Sequence, residues 1–179
     1  MVTDALQIRK AEIQVKKAEK TCREFELFVQ AERPKLLKIA AGMLGSLDEA
    51  EDAVQDSLIK MFQKWDSADN KPAYLYRILS HTCIDRLRAR PKQQDIPPLY
   101  NSEETKSSTS ARLAVRSALE MLKPEERAAL LLREVEQLCY REIADVLGAT
   151  VMQVTNWIYR GKTALREQLK PHFGRKDKT

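Results

Sequence analysis

Apolar residues recur along this chain at intervals of three and four, and no run alternates strictly, so the pattern predicts helices throughout. The clearest stretch is Leu130 to Leu169. Ile143, Ala144 and Leu147 share one face of a helix from Tyr140 to Leu147, and Gly148 supplies the permissive backbone of a tight turn. Thr150 and Gln153 then form a capping-box pattern that restarts the chain as a helix continuing to Pro171. On that helix Val151, Val154, Ile158, Leu165 and Leu169 fall on one side, with Gly161 among them. The other side carries Met152, Gln153, Asn156, Tyr159, Arg160 and Thr163. A polar face of amides, hydroxyls, an aromatic and an arginine suits base edges and phosphates better than plain solvation. Two short helices meeting at a glycine have the layout of a helix-turn-helix, whose second helix enters a DNA major groove. An ordinary helical hairpin with a mixed polar face also fits residues 140–165.

Three further amphipathic segments precede it. Ser46 and Glu49 make another capping box, opening a helix that runs to about Trp65. Leu47, Ala50, Val54, Leu58, Met61 and Trp65 form its apolar stripe, and Asp48, Asp52, Gln55, Asp56, Ile59 and Gln63 lie opposite. An acidic face with one aliphatic at its middle has the composition of a protein-docking surface. A solvated face with a stray isoleucine has it equally. Pro72 opens the next helix, to about Arg90. There Leu75, Ile78, Leu79, Thr82 and Cys83 cluster on one side, while Tyr74, Arg77, His81, Asp85 and Arg88 follow on the other. Aromatics interleaved with arginines suit single-stranded or melted DNA, because rings stack on exposed bases while guanidinium groups hold phosphates. The plain alternative is that Tyr74 and Tyr76 cover the core edge and the arginines are solvated. At the N-terminus Ala5, Ile8, Ala11, Val15, Ala18, Cys22, Phe25 and Val29 step by threes and fours, with Arg9, Lys10, Lys16, Lys17 and Lys20 around them. This predicts an amphipathic helical extension over residues 1–24, and the pattern leaves open whether it folds onto the domain, binds a regulator or is disordered alone.

Pro91, Pro97 and Pro98 interrupt the pattern, and residues 92–110 are polar, Ser/Thr-rich and nearly free of aliphatics, which reads as a linker. Beyond it a helix is expected over Ala111 to Leu122, and Pro124 stands where a further helix begins. The expected fold is therefore all-α, in two small helical domains joined by a flexible linker.

Charge sharpens this picture. The net charge is only +5 over 179 residues, but Lys71, Arg77, Arg86, Arg88, Arg90 and Lys92 form one basic zone. Arg160, Lys162, Arg166, Lys170, Arg175, Lys176 and Lys178 form another, including a basic tail over 173–179. Two zones so far apart imply two contacts with a polyanion. Asp48, Glu49, Glu51, Asp52 and Asp56 lie in a stretch without any Lys or Arg. No apolar run approaches the roughly 18 residues of a membrane span, and the N-terminus lacks a signal-peptide core, so membrane insertion is not expected and a cytoplasmic location is. Cys22, Cys83 and Cys139 are too scattered for a disulfide framework, and His81 with Cys83 alone makes no zinc site. With no nucleophile and base pair, no phosphate-binding glycine loop and no ligand cluster, neither an enzyme nor a cofactor is expected.

The stretches LDEAEDAVQDSLIKMFQKW and KPAYLYRILSHTCIDRLRAR resemble region two of the extracytoplasmic-function sigma factors, a branch of the sigma-70 family. LKPEERAALLLREVEQLCYREIADVLGATVMQVTNWIYRGKTALREQL resembles their region four, in the family's order. The resemblance implies a factor that binds core RNA polymerase and directs it to promoters, with a region-two domain over 25–91 and a region-four domain over 111–172. It implies a polymerase-docking surface at Asp48, Asp52, Gln55, Asp56 and Ile59. It implies contacts to the melted −10 element through Asn70, Lys71, Tyr74, Tyr76, Arg77, His81 and Arg88, and to the duplex −35 element through Tyr140, Gln153, Thr155, Asn156, Tyr159, Arg160 and Lys162. An anti-sigma partner belongs to the same expectation. The chain departs from the family's frequent residues at Thr155, Asn156 and Trp157, so no −35 consensus transfers. Cys139 stands where a serine cap is common, and Cys is the weaker cap. On the residues alone, a helix-turn-helix regulator that binds duplex operators without polymerase is the alternative, followed by a protein-binding helical adaptor and a nucleic-acid enzyme.

Overall fold

The computed structural model describes the backbone of residues 2–90 and 108–173, and the side chains of 14–90 and 113–170. The linker up to residue 107, the side chains of Arg9 and Lys10 and the tail from residue 174 lie outside the described residues. Seven α-helices follow in order: α1 Val2–Leu44, α2 Leu47–Gln63, α3 Lys71–Ala89, α4 Ser108–Glu120, α5 Pro124–Glu136, α6 Tyr140–Leu147 and α7 Val151–Phe173. A short 3-10 turn, Trp65–Ser67, follows α2, and no strand occurs among the described residues.

Local chemistry sets the boundaries. Gly45 at φ +74 ends α1, and the Ser46 hydroxyl accepts from the Glu49 amide to start α2. Asn70 caps α3 by accepting from the Ala73 amide, so the helix begins at Lys71, one residue ahead of the expected Pro72. The start of α4 at Ser108 takes the last three residues of the expected linker into a helix, since Ser-Thr-Ser joins an amphipathic run that packs on α7. The N-terminal extension is continuous with α1, although the side chains of residues 14–20 are exposed and cover nothing. It enters the bundle only from Phe25 and Phe28, whose rings meet Trp65 edge-on at 5.1 and 5.2 Å.

In the first module α1, α2 and α3 pack around Leu36, Ile39, Met43, Val54, Met61, Leu75 and Leu79, all essentially inaccessible to water. Burying each contributes on the order of 1.5–3 kcal/mol. In the second, α4 to α7 close over Leu122, Leu130, Leu132, Ile143, Val154 and Ile158. Two residues expected in these cores are outside them: Leu47 is 61% and Val151 48% exposed. Each is the first residue of its helix, and a first turn projects past the neighbour that covers the next.

The two modules do not stand apart. Their buried residues form one continuous cluster, with α5 against α1 and α3, and α6 against α3. Gly42 permits the approach, since a Cβ there would lie 2.8 Å from Leu131 Cδ2. Arg127, buried on α5, donates to the Met43 carbonyl of α1 and to the Leu122 carbonyl, and burial lowers its pKa to about 10.

Candidate polymerase and nucleic-acid interfaces

The acidic face of α2 is displayed as the periodicity predicts. Asp48, Asp52, Gln55 and Asp56 are exposed, and Ile59 is 59% exposed among them. Asp56 is not free, because Arg86 of α3 donates to its Oδ2 at 2.5 Å. Glu49 likewise accepts from Arg90. The sequence reading missed Phe62, one turn from Ile59, which lies half open with its ring 4.9 Å from Phe25. Together with Cys22, Phe25 and Leu58 these residues line an open, mainly apolar groove of about 480 Å³ between α1 and α2. The spacing Ile59–Phe62 was the available signal; what hid it was that the groove needs the N-terminal half of α1 as its other wall.

The residues assigned to melted DNA divide into two sets. Asn70, Arg77, His81 and Arg88 are exposed. The His81 ring nitrogen Nδ1 lies 2.8 Å from the Arg77 carbonyl. Lys71 lies with its ammonium 4.9 Å from the Trp65 ring centre, and Tyr74 is half-buried against the core. Tyr76 corrects the expectation, being only 3% exposed. Its phenolic oxygen lies 2.5 Å from Glu32 Oε2 of α1 and 2.5 Å from Glu136 Oε2 of α5. Its one proton serves one carboxylate at a time. Burial, then the hydrogen bonds to Glu136 and Glu32, push the phenol far above its ordinary range. The reason is that α3 is covered on two sides, by its own bundle and by the second module. The basic zone on α3 is also largely neutralised: Arg86, Arg88 and Arg90 each meet a carboxylate, from Asp56, Glu125 and Glu49.

In the second module α6 and α7 meet at Gly148, left-handed at φ +64, as the pattern predicts. The capping box is fully formed. Thr150 donates its amide to Gln153 Oε1 at 2.8 Å, and Gln153 donates its amide to Thr150 Oγ1 at 3.2 Å. Gln153 therefore spends its carbonyl oxygen on the cap, leaving its NH2 for a ligand. Cys139 does cap α6, through its backbone: its amide donates to Glu142 Oε2, which holds that carboxyl below the usual carboxylate range. Tyr140 is half-buried, and its ring faces the Arg133 guanidinium at 5.8 Å, so it packs more than it presents. Arg133 in turn donates to the Leu138 carbonyl at 2.8 Å, fixing the bend that leads into α6. Thr155, Asn156, Tyr159, Arg160 and Lys162 are exposed along α7, Tyr159 at 72%. Thr155 donates to the Val151 carbonyl, 2.8 Å away, and Arg160 lies 3.8 Å from Glu126. Trp157 is half-buried and packs against the core.

Both modules match known families. The sigma-70 region 2 family model matches residues 28–93, and the sigma-70 region 4 model matches residues 112–165. The chain belongs to the extracytoplasmic-function sigma factors of the sigma-70 family. It is 29% identical over 153 residues to the RNA polymerase sigma-E factor of Streptomyces avermitilis, covering 82% of this chain and 85% of that one. It is 27% identical over 190 residues to the sigma factor SigW of Bacillus subtilis, covering 92% and 98%. Among solved structures, the sigma factor RpoE of Bartonella quintana in complex with the anti-sigma factor NepR superposes with a TM-score of 0.66 at 24% identity, covering 83% of this chain and 98% of that one. CnrH in complex with the cytosolic domain of CnrY gives the same TM-score at 23% identity, covering 83% and 89%. The chain is thus an alternative sigma factor, an initiation factor and not an enzyme. No described helix of this sigma factor is long and apolar enough to cross a membrane.

Proposed function

We propose that this sigma factor grips a promoter at two points while docked on core RNA polymerase through α2. Asp48, Asp52, Gln55 and Ile59 form the docking face, with Asp56 available once Arg86 lets it go. Thr155, Asn156, Tyr159, Arg160 and Lys162, with the Gln153 amide, read the −35 duplex, while Asn70, Lys71, Tyr74, Arg77, His81 and Arg88 receive the melted −10 strand. Contacts of α7 to bases and phosphates anchor the factor. Stacking and phosphate contacts on α3 offset the cost of strand opening. The observation that carries the reading is that both family matches, in order, fall on the segments whose exposed faces bear the acids of α2 and the amides, hydroxyls and arginine of α7.

A cytoplasmic location follows from work on the chromosome. By likeness to the solved sigma factor RpoE in complex with the anti-sigma factor NepR, an anti-sigma protein is part of the same proposal. Footprinting of the reconstituted holoenzyme on promoter fragments tests it. Protection near −35 together with reactive, unpaired thymines near −10 is expected, and protection without strand opening refutes the assignment of α3.

A further inference from the structure

Met152, the second residue of α7, is 76% exposed, more than any other large apolar side chain among the described residues. A methionine on a surface is ordinary, but this position is not. At about 100° per residue it stands about 180° round the helix from Gly161. An added Cβ at Gly161 would come within 3.5 Å of Leu130 Cδ2, in the core of the second module. Thr155, Asn156 and Tyr159 follow Met152 at helical spacing and are exposed on the same side, so Met152 heads the stripe proposed to face the −35 duplex. Helical side chains lean toward the N-terminus of their helix, and that end of a recognition helix is the one that meets base edges.

The polar groups around Met152 are already engaged. Gln153 Oε1 and Thr150 Oγ1 accept each other's backbone amides, and Thr155 donates its hydroxyl to the Val151 carbonyl at 2.8 Å. The tip of α7 therefore offers the Gln153 NH2 and, beside it, a thioether that donates nothing and accepts weakly. Base pairs present acceptors, amino donors and one apolar group in the major groove, the C5 methyl of thymine. Against a hydrogen-bonding edge the thioether displaces water and replaces none of its bonds. Against the methyl it removes apolar surface from water on both partners. Methionine is unbranched and flexible, which lets it reach and fit such a group. Val151, 48% exposed, lies about 100° round the helix and flanks the contact.

We propose that Met152 is a specificity-determining residue of this factor, selecting a thymine in the −35 element by contact with its C5 methyl group. A T·A pair at that position is preferred over C·G, whose cytosine carries no methyl. This rests on the reading of α7 as the −35 helix, and the experiment separates the two.

On a promoter fragment that the holoenzyme occupies, each thymine of the −35 element, on either strand, is replaced in turn by deoxyuridine, which removes the C5 methyl and leaves every hydrogen-bonding group. Affinity is measured for holoenzymes carrying the wild-type factor, M152A, V151A and R160A. Alanine at an exposed helical position keeps the fold. The wild type is expected to lose about fourfold in affinity at one position, the value of one buried methyl. M152A is expected to show a loss of at least that size on the unmodified fragment and to be indifferent to deoxyuridine at that position, while V151A stays sensitive. No sensitive position in the wild type overturns the proposal. Sensitivity that persists in M152A also overturns it, and assigns the effect to Val151 if V151A abolishes it or to DNA shape if neither variant does. Where R160A weakens binding and M152A does not, the role of Met152 fails and the reading of α7 stands. Where neither variant weakens binding, α7 is not the −35 reader and the proposal falls with it.

Discussion

Replacing Arg160 by alanine separates a base-reading role from a structural one with unusual clarity. Arg160 is 65% exposed on α7, and its one ion pair among the described residues is to Glu126 at 3.8 Å. A pair this long, with its cation in solvent, contributes at most about 1 kcal/mol. Glu126 is itself buried, but it keeps a second partner, the Lys123 amide at 3.3 Å, so removing the arginine does not orphan the carboxylate. Unfolding stability of R160A is therefore expected within about 1 kcal/mol of wild type. A bidentate contact to a base is worth about 1–3 kcal/mol, a loss of roughly 5- to 150-fold in promoter affinity. The assay is holoenzyme binding to a promoter fragment and to the same fragment with each −35 base pair replaced. The loss is expected to vanish at one substituted base pair, the one Arg160 reads. An equal loss on every sequence, with the salt slope reduced by about one, makes Arg160 a phosphate contact. No loss on any sequence refutes the assignment of the exposed face of α7 to DNA. E126Q, which releases Arg160 from its tether while leaving the cap acceptor in place, is expected to leave the identity of that base unchanged.

Other outcomes follow from the same geometry. D52R is expected to weaken core-polymerase binding at least tenfold without changing the melting temperature, because Asp52 is exposed and makes no ion pair among the described residues; competition for core enzyme measures it, and unchanged affinity removes α2 as the docking face. G148A forces a Cβ into φ +64, where the left-handed backbone costs about 1–2 kcal/mol; urea unfolding checks the loss, and an undiminished stability contradicts the turn geometry. Burial pushes the Cys83 thiol up to about 12, so it stays protonated at pH 9. Mass spectrometry after iodoacetamide is expected to find Cys22 and Cys139 alkylated and Cys83 spared until the chain unfolds. The sign for stability follows: the unfolded thiol ionises from about pH 8.5, so this contribution to folding is complete below that pH and is lost as pH rises towards 12.

What the sequence made legible is what neighbours along the chain decide. The bounds of α6, the turn at Gly148 and the Thr150–Gln153 cap depend on groups three or four residues apart, and they appear where the pattern puts them. The acids and Ile59 on one face of α2 follow from helical spacing alone. Tyr74 and Tyr76, by contrast, look alike in sequence, and only the approach of Glu136, sixty residues on, buries the second and leaves the first partly open. Phe62 and its groove depend on α1, and the Arg127 bridge to Met43 spans eighty-four residues. Long-range pairing of this kind leaves no period to read. The linker made two independent modules the natural expectation, yet Gly42 and Leu131 fit closely enough to join their cores.

The central claim is that this chain gives core RNA polymerase a promoter. Run-off transcription with purified core enzyme, this sigma factor and a library of genomic fragments tests it most directly. Discrete transcripts that need both proteins, start at shared upstream elements and disappear with D52R are the predicted result. No factor-dependent transcript on any fragment, or tight binding of the chain alone to duplex operators with no change in initiation, contradicts it.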